Sequence, residues 1–451
     1  MVRLTARGSS LIVTLSVALS SGCGQANSPS TNPTPGAGSP GSAGAGNSSG
    51  APSTSGGAPG SSAGAGASPS AGAAGTPDGR AGSAGSSGAA SGGTAGAPSG
   101  GAGAGGAPAS SAPFAYVGSS NGQISLYKFD PAQFQLTLVK SVAGGSLTSF
   151  LAFNAAHSHL YAVNEGDAKV ASFSADPETG ELTFLNRVAS GGDGPAFVSV
   201  DHSGKYVLVA NYDGNSTRVF PISADGSLGS PSDDKMPGKN SHMIFTDPAN
   251  KFAFVMNLGS NTISQYMFDA TKGALTANSV PSVKIAAGSG PRHMAFHPSA
   301  KFAYLISETS DMLTAYTYDA TLGQLTFLQS LSTLPAGANG ASNDCAEVVV
   351  APSGNFVYGS NRGHDSIATF SINGTNGMLS FVDTTPSGGK TPRSFTISAD
   401  GKAMLVANES GNVTSFSVDV ASGALTKRKS LDVPQMPQFV GLVSWGGTSV
   451  Q

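Results

Sequence analysis

Four short apolar runs, each alternating with polar positions and separated by turn residues, make up a unit that recurs along the chain. A clear copy runs Pro291-Arg292-His293-Met294-Ala295-Phe296-His297-Pro298, then Phe302-Ala303-Tyr304-Leu305-Ile306, then Leu313-Thr314-Ala315-Tyr316. It closes on Asp319 to Gly323 and Leu325-Thr326-Phe327. Alternation with a period of two marks half-buried strands. The unit returns roughly every 46–54 residues, seven times from about Pro113 to the C-terminus. Four strands per unit at that period predict an all-β, seven-bladed β-propeller.

Third-strand aromatics mark the blades: Tyr127, Phe173, Phe220, Tyr266, Tyr316, Phe370 and Phe416. Six inner strands are expected to open at Ser149, Ala196, Ser241, Arg292, Ala346 and Arg393. The seventh lies at the C-terminus, where Pro437-Gln438-Phe439-Val440 matches Pro392-Arg393-Ser394-Phe395. The first blade begins instead at its second strand, Phe114-Ala115-Tyr116-Val117. The last strand is therefore expected to join the first blade and close the ring, hiding the edges an open repeat would leave.

Antiparallel strands send successive connections to alternate faces of the disc. One face carries plain Asp/Pro/Ser/Gly turns, such as Asp201-His202-Ser203-Gly204 and Asp419 to Gly423. The other carries Asn164-Glu165, Asn211-Tyr212-Asp213, Ser241-His242, Arg292-His293, Ser307-Glu308, Glu347, Asn361-Arg362-Gly363-His364-Asp365, Arg393 and Asn408-Glu409. Turn chemistry does not require such groups. Their convergence on one mouth is the usual layout of a binding or active site. The seven histidines sort accordingly. His157, His159, His202 and His297 fall in the plain turns, whereas His242, His293 and His364 fall at the mouth. The plain alternatives are a histidine bond to a neighbouring blade, an Arg362–Asp365 tie within its loop, and Asn side chains capping strand ends.

The repeat begins late in the chain. Arg3 and Arg7 precede an apolar stretch from Leu11 to Leu19, and Ser20-Ser21-Gly22-Cys23 follows, the pattern of a secretory signal over residues 1–23. The small residues ending at Cys23 resemble a bacterial lipobox, which implies lipidation of Cys23. Ser20 departs from the aliphatic residue usual there. Residues 24–112 are almost wholly Gly, Ser, Ala, Pro, Thr and Asn and are expected to form a disordered tether. As a flexible coil it would span about 50 Å end to end. The expected location is the cell envelope, at the outer membrane or in the periplasm, with the lipid as the sole membrane contact.

The net charge of −3, with no Lys/Arg cluster, argues against nucleic acid as a partner. The chain has two cysteines, so no disulfide framework arises once Cys23 carries lipid, and Cys345 is expected to be a small buried side chain.

The motifs resemble the seven-bladed lactonase family that includes bacterial 6-phosphogluconolactonase and fungal carboxymuconate-lactonising enzymes. The resemblance rests on Tyr161-Ala162-Val163-Asn164-Glu165, Val207-Leu208-Val209-Ala210-Asn211-Tyr212, Gly290 to Pro298, Ala346-Glu347 with Ser360 to Ile367, and Pro392-Arg393 with Val406-Ala407-Asn408. It spans the whole repeat region. Two departures stand out. Family members commonly have histidine after Pro-Cys or Pro-Ala in the third inner strand, where this chain has Phe197. They commonly have Pro-Arg-His or Pro-Arg-Asp in the seventh blade, where this chain has Ser394.

The activity so implied is lactone hydrolysis. It needs a base to activate water and a cation for the developing oxyanion. His242, His293, Glu165, Glu308 and Glu347 are the available bases. Arg292, Arg362 and Arg393 are the available cations. The expected catalytic set is His242 or Glu347 as base, with Arg292 and Arg362 on the substrate. Glu165, Asn211, His293, Glu308, His364 and Arg393 are expected to bind it. No cofactor is required, no metal-ligand spacing is present, and no Gly-x-Ser-x-Gly elbow suggests a serine nucleophile. The partner is then a small lactone or acidic sugar, taken by a monomer. The competing expectation is a non-catalytic exported propeller that binds a ligand, glycan or envelope protein at the same mouth.

Overall fold

In the computed structural model, residues 113–433 and 435–444 are described, and the signal segment, Cys23 and the tether lie outside them. The chain divides into units over residues 1–99 and 100–451, and the description concerns the second. Its described residues form seven four-stranded antiparallel sheets, the expected blades. The C-terminal strand, Pro437–Val443, pairs with Phe114–Ser119 and completes blade one, with Val440 opposite Val117 and Val443 opposite Phe114.

The other inner strands are Thr148–Phe153, Pro195–Val200, Ser241–Thr246, Pro291–Phe296, Asp344–Val350 and Pro392–Ile397, for blades two to seven. Most open one or two residues before the expected starts. Proline is tolerated as a first strand residue because no ladder partner is needed there.

The core lies between blades. The marker aromatics Phe173, Phe220, Tyr316, Phe370 and Phe416 are buried there. A tyrosine in the second strand of one blade reaches the third-to-fourth turn of the next. Tyr116, Tyr161, Tyr304 and Tyr358 donate their hydroxyls to the carbonyls of Gly180, Gly226, Gly377 and Gly423, at 2.6, 3.1, 3.1 and 3.0 Å. Gly377 shows why glycine stands in that turn. Its φ is +75°, and a Cβ would lie 2.3 Å from the Phe302 ring of the preceding blade. Tyr161→Phe strands a buried carbonyl, so it is expected to lower unfolding free energy by about 1–2 kcal/mol, read from the urea midpoint.

The plain face is as expected. His297 Nε2 lies 3.0 Å from the Gly354 carbonyl and His159 Nε2 lies 3.1 Å from that of Asp225, so both rings tie a turn to the next blade.

Candidate active site

All seven inner strands carry a register shift at their mouth end. Pro291 pairs with Ser307 and His293 with Ile306, so Arg292 is an extra residue without a cross-strand partner. The same shift leaves out Ser149, Ala196, His242, Arg393 and Gln438, and sets Ala346 and Glu347 together opposite Ser360. An extra residue bends the strand and re-aims its side chain, which is why bulges recur beside active sites. Here the bulges present His242, Arg292 and Arg393 at equivalent positions. The following residue forms a second level: Phe439, Phe150, Phe197 and Met243 on blades one to four, then His293, Glu347 and Ser394 on blades five to seven. The lower level is thus apolar on one side and polar on the other.

The aromatic side is packed. The Phe150 ring lies 4.2 Å from Phe197 and 4.7 Å from Phe439 between centroids, and reaches across to His293 at 5.6 Å. Phe197 meets the edge of His293 at 5.1 Å. The departure from family histidine at this position therefore supplies part of an aromatic floor.

The polar side is a chain of paired ions. Arg292, 2 % exposed, brings Nε to 2.8 Å from Glu308 Oε2, and its Nη1 donates to the Ala346 carbonyl at 2.8 Å. Arg362 Nη2 lies 3.2 Å from the same Glu308 oxygen and donates to the Cys345 carbonyl at 3.0 Å. Burial alone would raise the Glu308 carboxyl, but the two guanidiniums outweigh it and hold it below the usual range. Burial and the neighbouring Arg362 charge pull Arg292 down to about 10, which still leaves it cationic at neutral pH. Arg393 is more loosely held, with Glu165 at 3.5 Å and Glu409 at 3.7 Å.

His293 stands 2.8 Å from Glu347 Oε1. A carboxylate accepts, so His293 Nδ1 carries the proton and its Nε2 bears a lone pair. Glu347 Oε1 also accepts the Val348 N–H at 3.1 Å. The His242 ring lies 5.0 Å from His293 and 5.6 Å from Tyr212. Its Nδ1 is buried with no hydrogen-bond partner among the described residues. Burial, with Arg292 next, holds His242 well below its ordinary 6.5; burial also depresses His293, against the pull of Glu347. Both rings are neutral at neutral pH.

Two expected substrate contacts are not at this cluster. Asn211 is fully buried, and its Nδ2 donates to the Ser190 carbonyl at 3.2 Å and to Ser216 Oγ at 3.1 Å. It caps a strand end, as do Asn164, Asn361 and Asn408, which donate to the carbonyls of Gly144, Thr333 and Ser387. His364 is exposed, with Nδ1 2.7 Å from Ser366 Oγ, so its loop chemistry is local. Glu308, one of the expected bases, is engaged by two guanidiniums that favour its ionised form, which sets it against taking up a proton. The Arg362–Asp365 tie does not form either: Asp365 accepts the Thr391 N–H at 2.7 Å and Arg362 turns to Glu308. Cys345 is buried and free, as expected. Among the described residues no group of His, Cys, Asp or Glu is spaced to hold a metal ion.

Tyr212 and Glu409, on the mouth face by sequence, and Ser149, at an inner-strand start, belong to the mouth although the sequence assigns them no role. Tyr212 and Glu409 follow the capping Asn of their blades, as Glu165 follows Asn164, and that position was the readable signal. Burial and the charge of Glu308 raise the Tyr212 hydroxyl, so it stays protonated.

The family model for the seven-bladed β-propeller lactonases matches residues 114–440. A 6-phosphogluconolactonase of Bacillus subtilis is 34% identical over 328 residues, covering 69% of this chain and 93% of that protein. One from Formosa agariphila is 31% identical over 324 residues, covering 67% and 90%. The solved structure of a periplasmic gluconolactonase from Pseudomonas aeruginosa superposes with a TM-score of 0.69 at 29% identity, covering 73% of this chain and 99% of that one.

Proposed function

Since the chain belongs to the seven-bladed β-propeller lactonase family, we propose that it opens a sugar-type lactone by adding water at the mouth. The observation that carries this reading is the meeting of Arg292, Arg362 and Glu308 with His242, His293 and Glu347 in one buried cluster. The neutral His242 ring takes a proton from water as the water oxygen bonds to the lactone carbonyl carbon. The carbonyl electron pair moves onto oxygen, where the Arg292 and Arg362 guanidiniums stabilise it. The carbonyl then re-forms and the ring oxygen leaves, receiving the proton from His242. The product is the open hydroxy acid. Glu347 acts as a positioning residue in this scheme, because its Oε1 accepts N–H groups from His293 and Val348 and so fixes the His293 ring. Arg393 and Glu165 bind the far side of the substrate.

The test is acid release from a panel of sugar lactones in a pH-stat, with the spontaneous rate subtracted. His242→Gln is expected to lower kcat by about 10²–10⁴-fold, while His202→Ala, on the plain face, leaves it unchanged. Because the folded protein holds His242 below its ordinary 6.5, the wild-type rate stays flat as pH falls from about 8 to 6.5 and drops only at lower pH, where the ring takes its proton. Lactones left untouched by the wild type would instead favour a ligand-binding propeller.

We also propose export to the cell envelope, with residues 1–23 as signal, residues 24–112 as tether and Cys23 as lipid site. Support comes from the charged, apolar and small-residue succession ending at Cys23 and from the similarity to a periplasmic protein. Radiolabelled palmitate is expected to enter the full chain and to be absent from Cys23→Ser. Labelling of that variant would remove the anchor assignment.

A further inference from the structure

The guanidiniums at the mouth are already engaged by carboxylates. Four carboxylates, Glu165, Glu308, Glu347 and Glu409, face three guanidiniums, Arg292, Arg362 and Arg393; Glu308, Glu165 and Glu409 stand in ion pairs with these, and Glu347 is hydrogen-bonded to the neutral His293, so the mouth holds one more carboxylate than guanidiniums. Burial keeps His242 and His293 neutral, so they add no positive charge. The polar atoms without a partner among the described residues include two uncharged groups at equivalent bulge positions, Ser149 Oγ and His242 Nδ1. A hydroxyl and an imidazole suit the hydroxyls of a neutral ligand. One side of the floor is the aromatic cluster of Phe150, Phe197 and Phe439, which offers an anion no donor.

Resting on the lactonase reading, we propose that the substrate is an uncharged, hydroxylated lactone rather than one bearing a phosphate. A phosphate dianion entering this mouth would have to share two guanidiniums with Glu308, or the third with Glu165 and Glu409, whereas the oxyanion of the reaction carries a single negative charge only transiently. Either placement sets a carboxylate beside the incoming double charge, in a site where low dielectric strengthens repulsion. A neutral lactone meets none of these penalties. It can hydrogen-bond Ser149 and His242 and rest a C–H face on the floor.

The experiment compares glucono-δ-lactone with the same lactone carrying a 6-phosphate, using initial rates of acid release by the full chain at low salt. The neutral compound is expected to show a kcat/KM at least about tenfold higher. Raising the salt is expected to narrow the gap, since screening weakens like-charge repulsion. The double variant Glu165→Gln, Glu409→Gln frees Arg393 and is expected to raise the rate on the phosphorylated compound relative to the neutral one. A wild-type rate on the phosphorylated lactone equal to or above that on the neutral one overturns the inference while leaving the lactonase reading in place. The salt series decides the matter even where the double variant does not fold. If neither compound is opened, both the inference and the reading it rests on fail.

Discussion

Arg292→Ala is expected to lower kcat on a lactone by about 10²–10³-fold, because it removes the donor proposed to meet the oxyanion. Charge develops on that oxygen only as water adds, so the loss falls mainly on kcat with little change in KM. Arg292→Lys tests the geometry as well as the charge. Lysine keeps a cation but cannot hold Glu308 Oε2 and the Ala346 carbonyl together as Nε and Nη1 do at 2.8 Å each. It is therefore expected to recover only a small part of the lost rate. Glu308 keeps Arg362 at 3.2 Å in both variants, so the fold is expected to survive, and a thermal melt beside the kinetics checks this. Arg393→Ala is the contrasting variant. Its guanidinium is held at 3.5 and 3.7 Å and lies on the side assigned to binding, so KM rises more than kcat falls. Equal kcat for Arg292→Ala and wild type would remove Arg292 from the reaction.

A chain ending at Val433 is expected to lose its cooperative unfolding transition and to associate in size-exclusion chromatography. Such a chain lacks Pro437–Val443, whose backbone covers Phe114–Ser119. It leaves that strand as an open edge, the template on which chains pair with one another. It also removes Val440 and Val443, both buried, and Phe439 from the floor. At roughly 1.5–3 kcal/mol for each large apolar side chain, the loss is comparable with a domain's whole net stability of about 5–15 kcal/mol. Adding back a peptide of residues 435–444 is expected to restore part of the transition. A truncated chain that melts as sharply as the intact one would show that ring closure contributes little.

The blade count, the closure and the division into two faces were legible in the sequence because they follow from a period of two within strands and from turns between them. His297 and His202 fell on the plain side for that reason alone. The site was legible only as a set of residue types. Its arrangement depends on the register shift in each inner strand, and a bulge adds one residue without disturbing the surrounding pattern of Val, Phe and Ala. So Arg292 and Arg362, 70 positions apart, gave no sign that they share Glu308. Asn211 looked like a ligand because amides often are; its Nδ2 is instead spent on a strand end, a local need that recurs in other blades. Phe197 read as a lost histidine. Its contacts with Phe150 and His293 become visible only when blades two, three and five are seen around one axis.

The aromatic floor has a kinetic consequence. Phe150 reaching across to His293 puts rings from opposite blades beneath the charged residues, so a bound guest rests against carbon on that side. On the proposed reaction, ring opening would turn the guest into a carboxylate beside Glu165, Glu308, Glu347 and Glu409. The acid so formed would be a poor tenant where its uncharged parent was not, and its accumulation outside is expected to hinder later turnovers only weakly.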